Sequence, residues 1–207
     1  MNIFQYWREV QLAAHSPRID RPKNVQLLRL YHSLDQAIAR FQKSSGLRCL
    51  PGCGECCENP KVETTVLEML PLAADLFQRR EAEKIIERLN GLPPESICVF
   101  YQKNSAAAAK GCCTAYSFRP TICRLFGFST VNDKRGKPEL VTCRLMKEHF
   151  FKQYAQVNAT QAPAMRDYSQ QVFNIDCALG KDRLPINQAL RVALERAGYY
   201  LETQQRS

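Results

Sequence analysis

The side chains best suited to chemistry in this sequence are its cysteines. The chain has ten of them, and four lie within a stretch of nine residues. Cys49, Cys53, Cys56 and Cys57 are separated by short stretches that contain two glycines and a proline. Thiolates are soft, strong metal ligands, and a tightly turning backbone lets several of them approach one point. The spacing therefore predicts a loop that binds a metal, because a loop of this composition offers little else to pack.

Four later cysteines complete a set of eight candidate metal ligands, and they are Cys98, Cys113, Cys123 and Cys143. Since a tetrathiolate zinc site or a [4Fe-4S] cluster needs four ligands, eight suit two sites, or one site with additional structural thiols. Adjacent side chains in an extended stretch point to opposite sides, so Cys56 and Cys57 could serve two neighbouring sites. Cys112 and Cys177 are left over, and we expect Cys177 to be a small buried residue within a helix.

Two motifs contain four of the eight candidate ligands. The first is Cys53-Gly54-Glu55-Cys56-Cys57, and the second is Tyr-x-x-Arg-Pro-x-x-Cys-Arg-x-Phe, from Tyr116 to Phe126. Over residues 46–145 the chain resembles the CxxCxxCC, or YkgJ-like, cysteine-cluster family, whose members are described as zinc- or iron-chelating proteins. Flagellin lysine N-methylases look similar across the same motif. By this resemblance, the cysteines that fall on motif positions are Cys49, Cys53, Cys56, Cys57, Cys98, Cys113 and Cys123.

The sequence departs from the family pattern at one place, and the two arginines of the second motif can be interpreted without the family. Three residues separate Cys49 from Cys53, where the family name has two. A cluster held by four thiolates is anionic, so Arg119 and Arg124 on either side of Cys123 could compensate its charge and help to bind the cofactor. The alternative is that the two arginines are an ordinary surface pair.

The spacing favours an iron–sulfur cluster over zinc. Paired Cys-x2-Cys sequences are typical of zinc ribbons, and only Cys53 and Cys56 form a clear pair here. A compact group of cysteines with distant further ligands is typical of iron–sulfur proteins, so we expect a [4Fe-4S] cluster, with zinc as the alternative. Electron transfer or metal handling would be its use. Two alternative functions remain. The first is a lysine N-methylase-like enzyme that acts on a protein, and the second is a zinc-stapled interaction module.

No catalytic residue can be named from the sequence. It has no glycine-rich phosphate loop, no His-Glu-x-x-His and no Gly-x-Ser-x-Gly motif, and no site for S-adenosylmethionine can be recognised. The spacing of Cys49, Cys53 and Cys56 also occurs in radical S-adenosylmethionine enzymes, and that of Cys53 and Cys56 occurs in thioredoxin-type proteins. The sequence around these cysteines lacks the alternating β/α pattern of both classes, so we do not expect either activity. His15, His32 and His149 all lie in stretches with helical periodicity, where packing or surface roles are the commoner ones.

The composition of the chain indicates the cellular compartment and the kinds of partner that we expect for the protein. The chain has no basic start followed by an apolar segment and no stretch long enough to span a membrane, so we expect a cytoplasmic protein with reduced thiols. Ten cysteines in a reducing compartment indicate metal or redox chemistry rather than disulfides. The net charge of +9 permits nucleic acid or another anionic partner, but no motif supports one. The redox or protein partner stays unknown.

Hydrophobic periodicity predicts a mainly α protein in which helices surround an irregular, cysteine-rich, metal-binding middle with a small β-hairpin. We expect a single domain, 1–207, in which the cysteine region, 46–145, is flanked by helical arms 1–45 and 146–207. The predicted helices are 2–15, 20–43, 64–70 with a kink or restart at Pro71, 72–90, 144–157, 163–179 and 184–197. A strand is expected at 97–101, and a hairpin is expected from segments 125–131 and 139–143.

Overall fold

The computed structural model describes residues 21–93, 95–103 and 111–205. The predicted first helix at 2–15, which contains His15, lies outside these residues. The helices are α1 (Arg21–Ser45), α2 (Val66–Gln78), α3 (Ala82–Asn90), α4 (Thr121–Leu125), α5 (Arg144–His149), α6 (Phe151–Gln156), α7 (Met165–Ile175) and α8 (Ile186–Gln205). The strands are β1 (Glu63–Thr65), β2 (Tyr101–Lys103), β3 (Gly111–Cys113), β4 (Ser129–Asn132), β5 (Pro138–Val141) and β6 (Arg183–Pro185).

The mainly α prediction is confirmed, and the strands form three antiparallel pairs rather than one hairpin. The β4–β5 pair is the predicted hairpin, with Asn132 opposite Pro138. The β2–β3 pair holds Cys113 opposite Tyr101, and the β1–β6 pair holds Thr65 opposite Arg183. These two pairs join segments that the sequence pattern did not pair.

Several predicted boundaries are wrong. The helix α2 continues through Pro71 instead of restarting there, and the break falls at Arg79–Glu81, where Arg80 adopts a left-handed φ of 58°. The predicted strand 97–101 is reduced to β2, which begins at Tyr101. The predicted helix 144–157 is two helices divided at Phe150, and α8 continues through Gly198 to Gln205.

Two hydrophobic clusters form the interior, and α1 contributes to both. Leu27 and Tyr31 belong to the larger cluster, which α2, α3 and α8 complete. Leu34 and Phe41, further along α1, belong to the smaller cluster with residues of α4, β5 and α5. Half-buried Cys123 packs against the larger cluster, whereas Cys143 packs against the smaller one. The cysteine region therefore adjoins both parts of the interior.

Candidate metal centre

The cysteine loop follows directly from the end of α1. Gly46, with φ +70°, ends that helix and donates its backbone N–H to the Gln42 carbonyl oxygen at 2.9 Å. A left-handed glycine immediately after the last turn is a common helix stop. The loop then bends so that the Cys53 N–H donates to the Leu50 carbonyl oxygen at 3.2 Å. A single 3-10 turn, Glu55–Glu58, carries both Cys56 and Cys57.

The loop packs on the β2–β3 pair through two glycines. Gly54 has φ 58°, and a Cβ atom built on it would lie 2.6 Å from the Gly111 carbonyl oxygen. A Cβ atom on Gly111 would lie 2.5 Å from the Gln102 carbonyl oxygen and 2.6 Å from the Tyr101 ring. The Tyr101 hydroxyl donates to Oε1 of Glu58 at 2.9 Å. Both glycines are therefore required for the loop to reach the strands that carry the next cysteines.

The two cysteines of β3 differ in exposure. Cys113 is partly buried and Cys112 is exposed, as expected for neighbours on a strand, whose side chains point to opposite faces. Cys98 precedes β2 in a turn closed by the Tyr101 N–H, which donates to the Cys98 carbonyl oxygen at 2.9 Å. The partly buried thiols of Cys98 and Cys113 pack against the larger hydrophobic cluster.

The Arg124 side chain fixes the segment that carries Cys123. Arg124 is 3% exposed, and its Nη1 donates to Oδ2 of Asp35 on α1 at 2.6 Å. Its Nε donates to the Arg119 carbonyl oxygen at 2.7 Å, and its Nη2 donates to the Ser117 carbonyl oxygen. The guanidinium also lies 4.4 Å from the centroid of the Tyr31 ring. It thus ties the 116–124 segment to α1.

A buried carboxylate, Glu68, fixes the start of the same short helix. Its Oε1 accepts from the Thr121 N–H at 2.7 Å and from the Thr121 hydroxyl, two residues before Cys123. Its Oε2 accepts from the Thr64 and Thr65 hydroxyls at 3.0 and 3.1 Å. Thr65 and Glu68 form a capping box at the start of α2. One side chain therefore joins the beginnings of α2 and α4.

Cys143 is the N-cap residue of α5. Its Sγ accepts a hydrogen bond from the Met146 N–H at 3.4 Å. The side chain acts electrostatically on Cys49, which places the start of α5 beside the first cysteine of the loop. Cys49 is exposed as a residue, but its sulfur is partly buried, and this burial, together with the nearby Cys56 and Cys143 thiols, raises the pKa of Cys49 to about 11.

Arg119 is the cation that faces the gathered thiols. It acts electrostatically on Cys49, Cys56, Cys113 and Cys123 and favours a lower pKa for each, although burial outweighs it and raises the pKa of Cys49, Cys113 and Cys123. Its guanidinium lies 3.5 Å from the centroid of the exposed Tyr116 ring, and its Nε donates to the Tyr116 carbonyl oxygen at 3.1 Å. These contacts hold the positive charge beside the cysteines.

The adjacent thiols of Cys56 and Cys57 hydrogen-bond to each other. This bond lowers the pKa of Cys56 to about 6, and Arg119 contributes in the same direction. The same bond, followed by burial, raises the pKa of Cys57. Burial is also the main cause that raises the pKa of Cys98, to about 11, and the pKa values of Cys113 and Cys123.

The donor chemistry of this region suits a thiophilic metal. The thiols of Cys113 and Cys123 act electrostatically on Cys57, and those of Cys53 and Cys56 act on Cys49. Within the described ranges, no three His, Cys, Asp or Glu side chains are arranged as a metal-binding group. The thiols thus lie on separate elements without forming a preassembled three-ligand group among the described residues, and their donor chemistry fits zinc or an iron–sulfur cluster.

The comparison with protein families decides the affiliation. The model of the CxxCxxCC family, described as "Putative zinc- or iron-chelating domain", matches residues 48–162, more than half of the chain. The chain belongs to the CxxCxxCC family. This match contains all eight predicted ligands and the two arginines. The protein thus carries a metal-chelating domain. Neither the curated proteins nor the solved structures compared with the chain gave a match.

The remaining predicted residues lie away from this region or serve other contacts. Arg124 is engaged with Asp35 and loop carbonyl groups, whereas Arg119 faces the thiols. The expectation that Cys177 is buried is wrong, because it is exposed in the turn after α7. His32 contacts Gln36 on α1, and His149 is exposed at the end of α5.

Sequence reasoning missed Glu68 and Asp35. The Thr65-x-x-Glu68 spacing is a capping-box signal that could have identified Glu68. Asp35 has no such signal, since it lies 89 residues from Arg124 in the chain. In the part of the chain that the structure describes, no helix is long and apolar enough to cross a membrane.

Proposed function

We propose that the CxxCxxCC-family centre of this protein holds an iron–sulfur cluster, most simply [4Fe-4S], and that its use is electron transfer or metal delivery. The observation that carries the proposal is the gathering of thiols from the loop, β3, α4 and the start of α5 around Arg119. A [4Fe-4S] cluster with four thiolates has a negative charge, which a fixed guanidinium offsets. When bound, such a cluster supplies one-electron redox chemistry.

The exposure of the centre supports an exchange function. Cys49 and Cys56 are exposed, whereas Cys98 and Cys123 are partly buried against the larger hydrophobic cluster. A cofactor held between these two groups would be anchored on its inner side and accessible on its outer side. That placement suits electron exchange with a protein partner, or transfer of metal to one, better than a sealed structural site.

Anaerobic purification followed by metal analysis tests this proposal. We expect a brown protein that absorbs at about 400 nm and contains iron and acid-labile sulfide in similar amounts. The absorbance should bleach when the protein is reduced with dithionite. A colourless protein with stoichiometric zinc would overturn the iron–sulfur proposal and leave a zinc-chelating domain.

Serine substitutions test the ligand set. Cys53→Ser and Cys123→Ser remove one thiol from the loop and one from α4, so each should lower the metal content at least several-fold. Cys177→Ser is the matched control, because Cys177 is exposed in the turn after α7 and should leave the metal content unchanged. If the first two variants retain wild-type metal, the thiols named here do not form the site.

A further inference from the structure

A cavity whose described lining includes no cysteine lies between α7 and the segment that leads into β6. Its volume is about 270 Å³. One wall is a single face of α7, made of Arg166, Ser169, Gln170 and Phe173 at positions i, i+3, i+4 and i+7. This face of the helix therefore borders open space and does not pack on the interior.

The opposite wall carries two more cations. Lys181 and Arg183 line the cavity, and Nη2 of Arg183 donates to Oγ of Ser169 at 2.9 Å, across from its own strand. The pairing of β6 with β1 fixes Arg183, which is the register partner of Thr65. Arg166 on the first wall contacts Asp167 at 3.6 Å and is itself strongly exposed. Three cationic side chains thus surround one opening.

The floor of the cavity does not offer a competing acceptor. Glu68 is the carboxylate among the lining residues, and it is 4% exposed. Its two oxygens already accept five hydrogen bonds, from the Thr64, Thr65 and Thr121 groups. These donors already occupy the Glu68 oxygens, so the hydrogen-bond donors that a ligand meets in the cavity are those of the three cations, whose positive charges oppose the charge of the one carboxylate in the described lining.

These features define the chemistry of an occupant. Guanidinium groups bind carboxylates and phosphates through paired hydrogen bonds, and a lysine adds a point charge. Phe173, which is 37% exposed at the edge of the cavity, offers an aromatic face. The volume is at the lower end of ligand pockets, so the occupant is small.

We propose that this cavity binds a small organic oxyanion, a phosphate or carboxylate attached to an apolar or aromatic group, through Arg166, Lys181 and Arg183. The charged group lies among the three cations, and the apolar group lies against Phe173. The site is built by α7, β6 and the start of α2, with Thr121 of α4 also in its lining. None of the described cysteines lines it, so the proposed ligand contacts are separate from the thiols and do not depend on which metal the cysteine centre holds.

Calorimetric titration of the protein as purified, with its metal, tests this site. The probes are phenyl phosphate and sodium benzoate, each in buffer whose ionic strength is matched with sodium chloride. We expect saturable binding of at least one probe. Binding of phenyl phosphate alone assigns the site to phosphate esters, and binding of benzoate alone assigns it to carboxylates.

Three variants locate the binding and one controls for net charge. Lys181→Gln and Arg183→Gln each remove a charged donor and should weaken binding about tenfold. Gln170→Trp fills the cavity from an exposed helix position and should weaken binding at least as much. Lys84→Gln changes the same charge on α3, away from the cavity, and should bind as wild type does.

Wild-type affinity in all three cavity variants would overturn the proposal, as would the absence of saturable binding of both probes to the wild-type protein. An equal loss in Lys84→Gln would also overturn it, because the effect would then follow net charge. Unfolding curves of each variant show whether the fold is retained, and the two Gln variants keep the test informative if Gln170→Trp does not fold.

Discussion

At the scale of single residues, Arg124 shows how a side chain next to a cysteine can serve the fold more than the cofactor. Its side chain is 2% exposed and its three donor nitrogens all have acceptors, one on Asp35 and two on carbonyl groups. Arg119 has the opposite placement, since it lies beside the thiols and on the exposed Tyr116 ring. Of the two arginines, only the geometry of Arg119 suits charge compensation of a cluster.

Arg124→Ala should therefore lower stability strongly. Removing one partner of a buried ion pair leaves a carboxylate and two carbonyl groups without their donor, and the expected loss is about 3 kcal/mol in the free energy of unfolding. Denaturant unfolding measures it. Arg144→Ala is the control, because the Arg144 side chain is 76% exposed and pairs with Glu148 within α5. That exposed pair should contribute at most about 0.5 kcal/mol.

A lysine in place of Arg124 separates the effect of its positive charge from the effect of its planar hydrogen-bonding geometry. Arg124→Lys keeps the positive charge, but a single ammonium group cannot reach Asp35 and both carbonyl oxygens in the way that the planar fork does. We expect it to recover only part of the lost stability. If Arg124→Ala costs no more than Arg144→Ala, the buried contacts described for Arg124 do not contribute to stability.

At the scale of elements, the approach of the cysteine loop to the β2–β3 pair depends on the missing side chain of Gly54. The φ of 58° alone is unfavourable for any other residue, and a Cβ atom would meet backbone of Gly111. The backbone of Gly111 cannot move aside for a new Cβ atom as the end of a flexible side chain could. A side chain at this position would thus push the loop away from Cys113.

Gly54→Ala should lower both stability and metal content. The left-handed φ costs about 1 kcal/mol, and the contact with Gly111 adds about 1–3 kcal/mol more. Gly136→Ala is a close control, because Gly136 has φ 79° in the β4–β5 turn but has nothing within 4 Å of a built Cβ atom. Gly136→Ala should lose only the stability that the left-handed φ costs, and it should retain its metal. Equal metal content in the two variants would contradict the proposed approach of the loop.

The elements also show where sequence patterns suffice and where they do not. The end of α1 was predicted because Gly46 follows the last turn, and the β4–β5 hairpin was predicted because a polar, glycine-containing loop separates two apolar segments. The break between α2 and α3 has neither glycine nor proline. It forms at Arg80, beside an Arg79 that contacts both Asp75 and Glu81.

Non-local contacts explain the other misses. Gly198 did not end α8, because the helix packs closely there: a Cβ atom on Gly198 would lie 3.3 Å from the Phe77 ring. The pairing of β1 with β6 joins residues more than a hundred positions apart, which no local pattern reveals. For the site, cysteine types and spacing indicate which thiols are candidate ligands, but they give no sign of the contacts that Asp35 and Glu68 make with the segment around Cys123.

At the scale of the whole molecule, the cysteine centre lies where the two hydrophobic clusters are joined. The helix α1 runs through both clusters, and a partly buried cysteine packs against each, Cys123 against the larger and Cys143 against the smaller. The smaller cluster has fewer buried side chains and is covered by short elements. A metal bound across these cysteines would thus add a second connection beside α1.

Removing the metal should therefore loosen one part of the molecule and spare another. Binding energy for a metal that joins separate elements contributes to folding. In hydrogen-exchange measurements, chelator treatment should speed amide exchange at least tenfold in the cysteine loop, in α4 and in α5. The α2–α8 packing, which buries Leu70 and Leu194, should retain its protection. Cys123→Ser without chelator should reproduce the pattern, and Cys177→Ser should not. Uniform exchange across all helices, or no change in α4 and α5, would show that the metal does not connect the clusters.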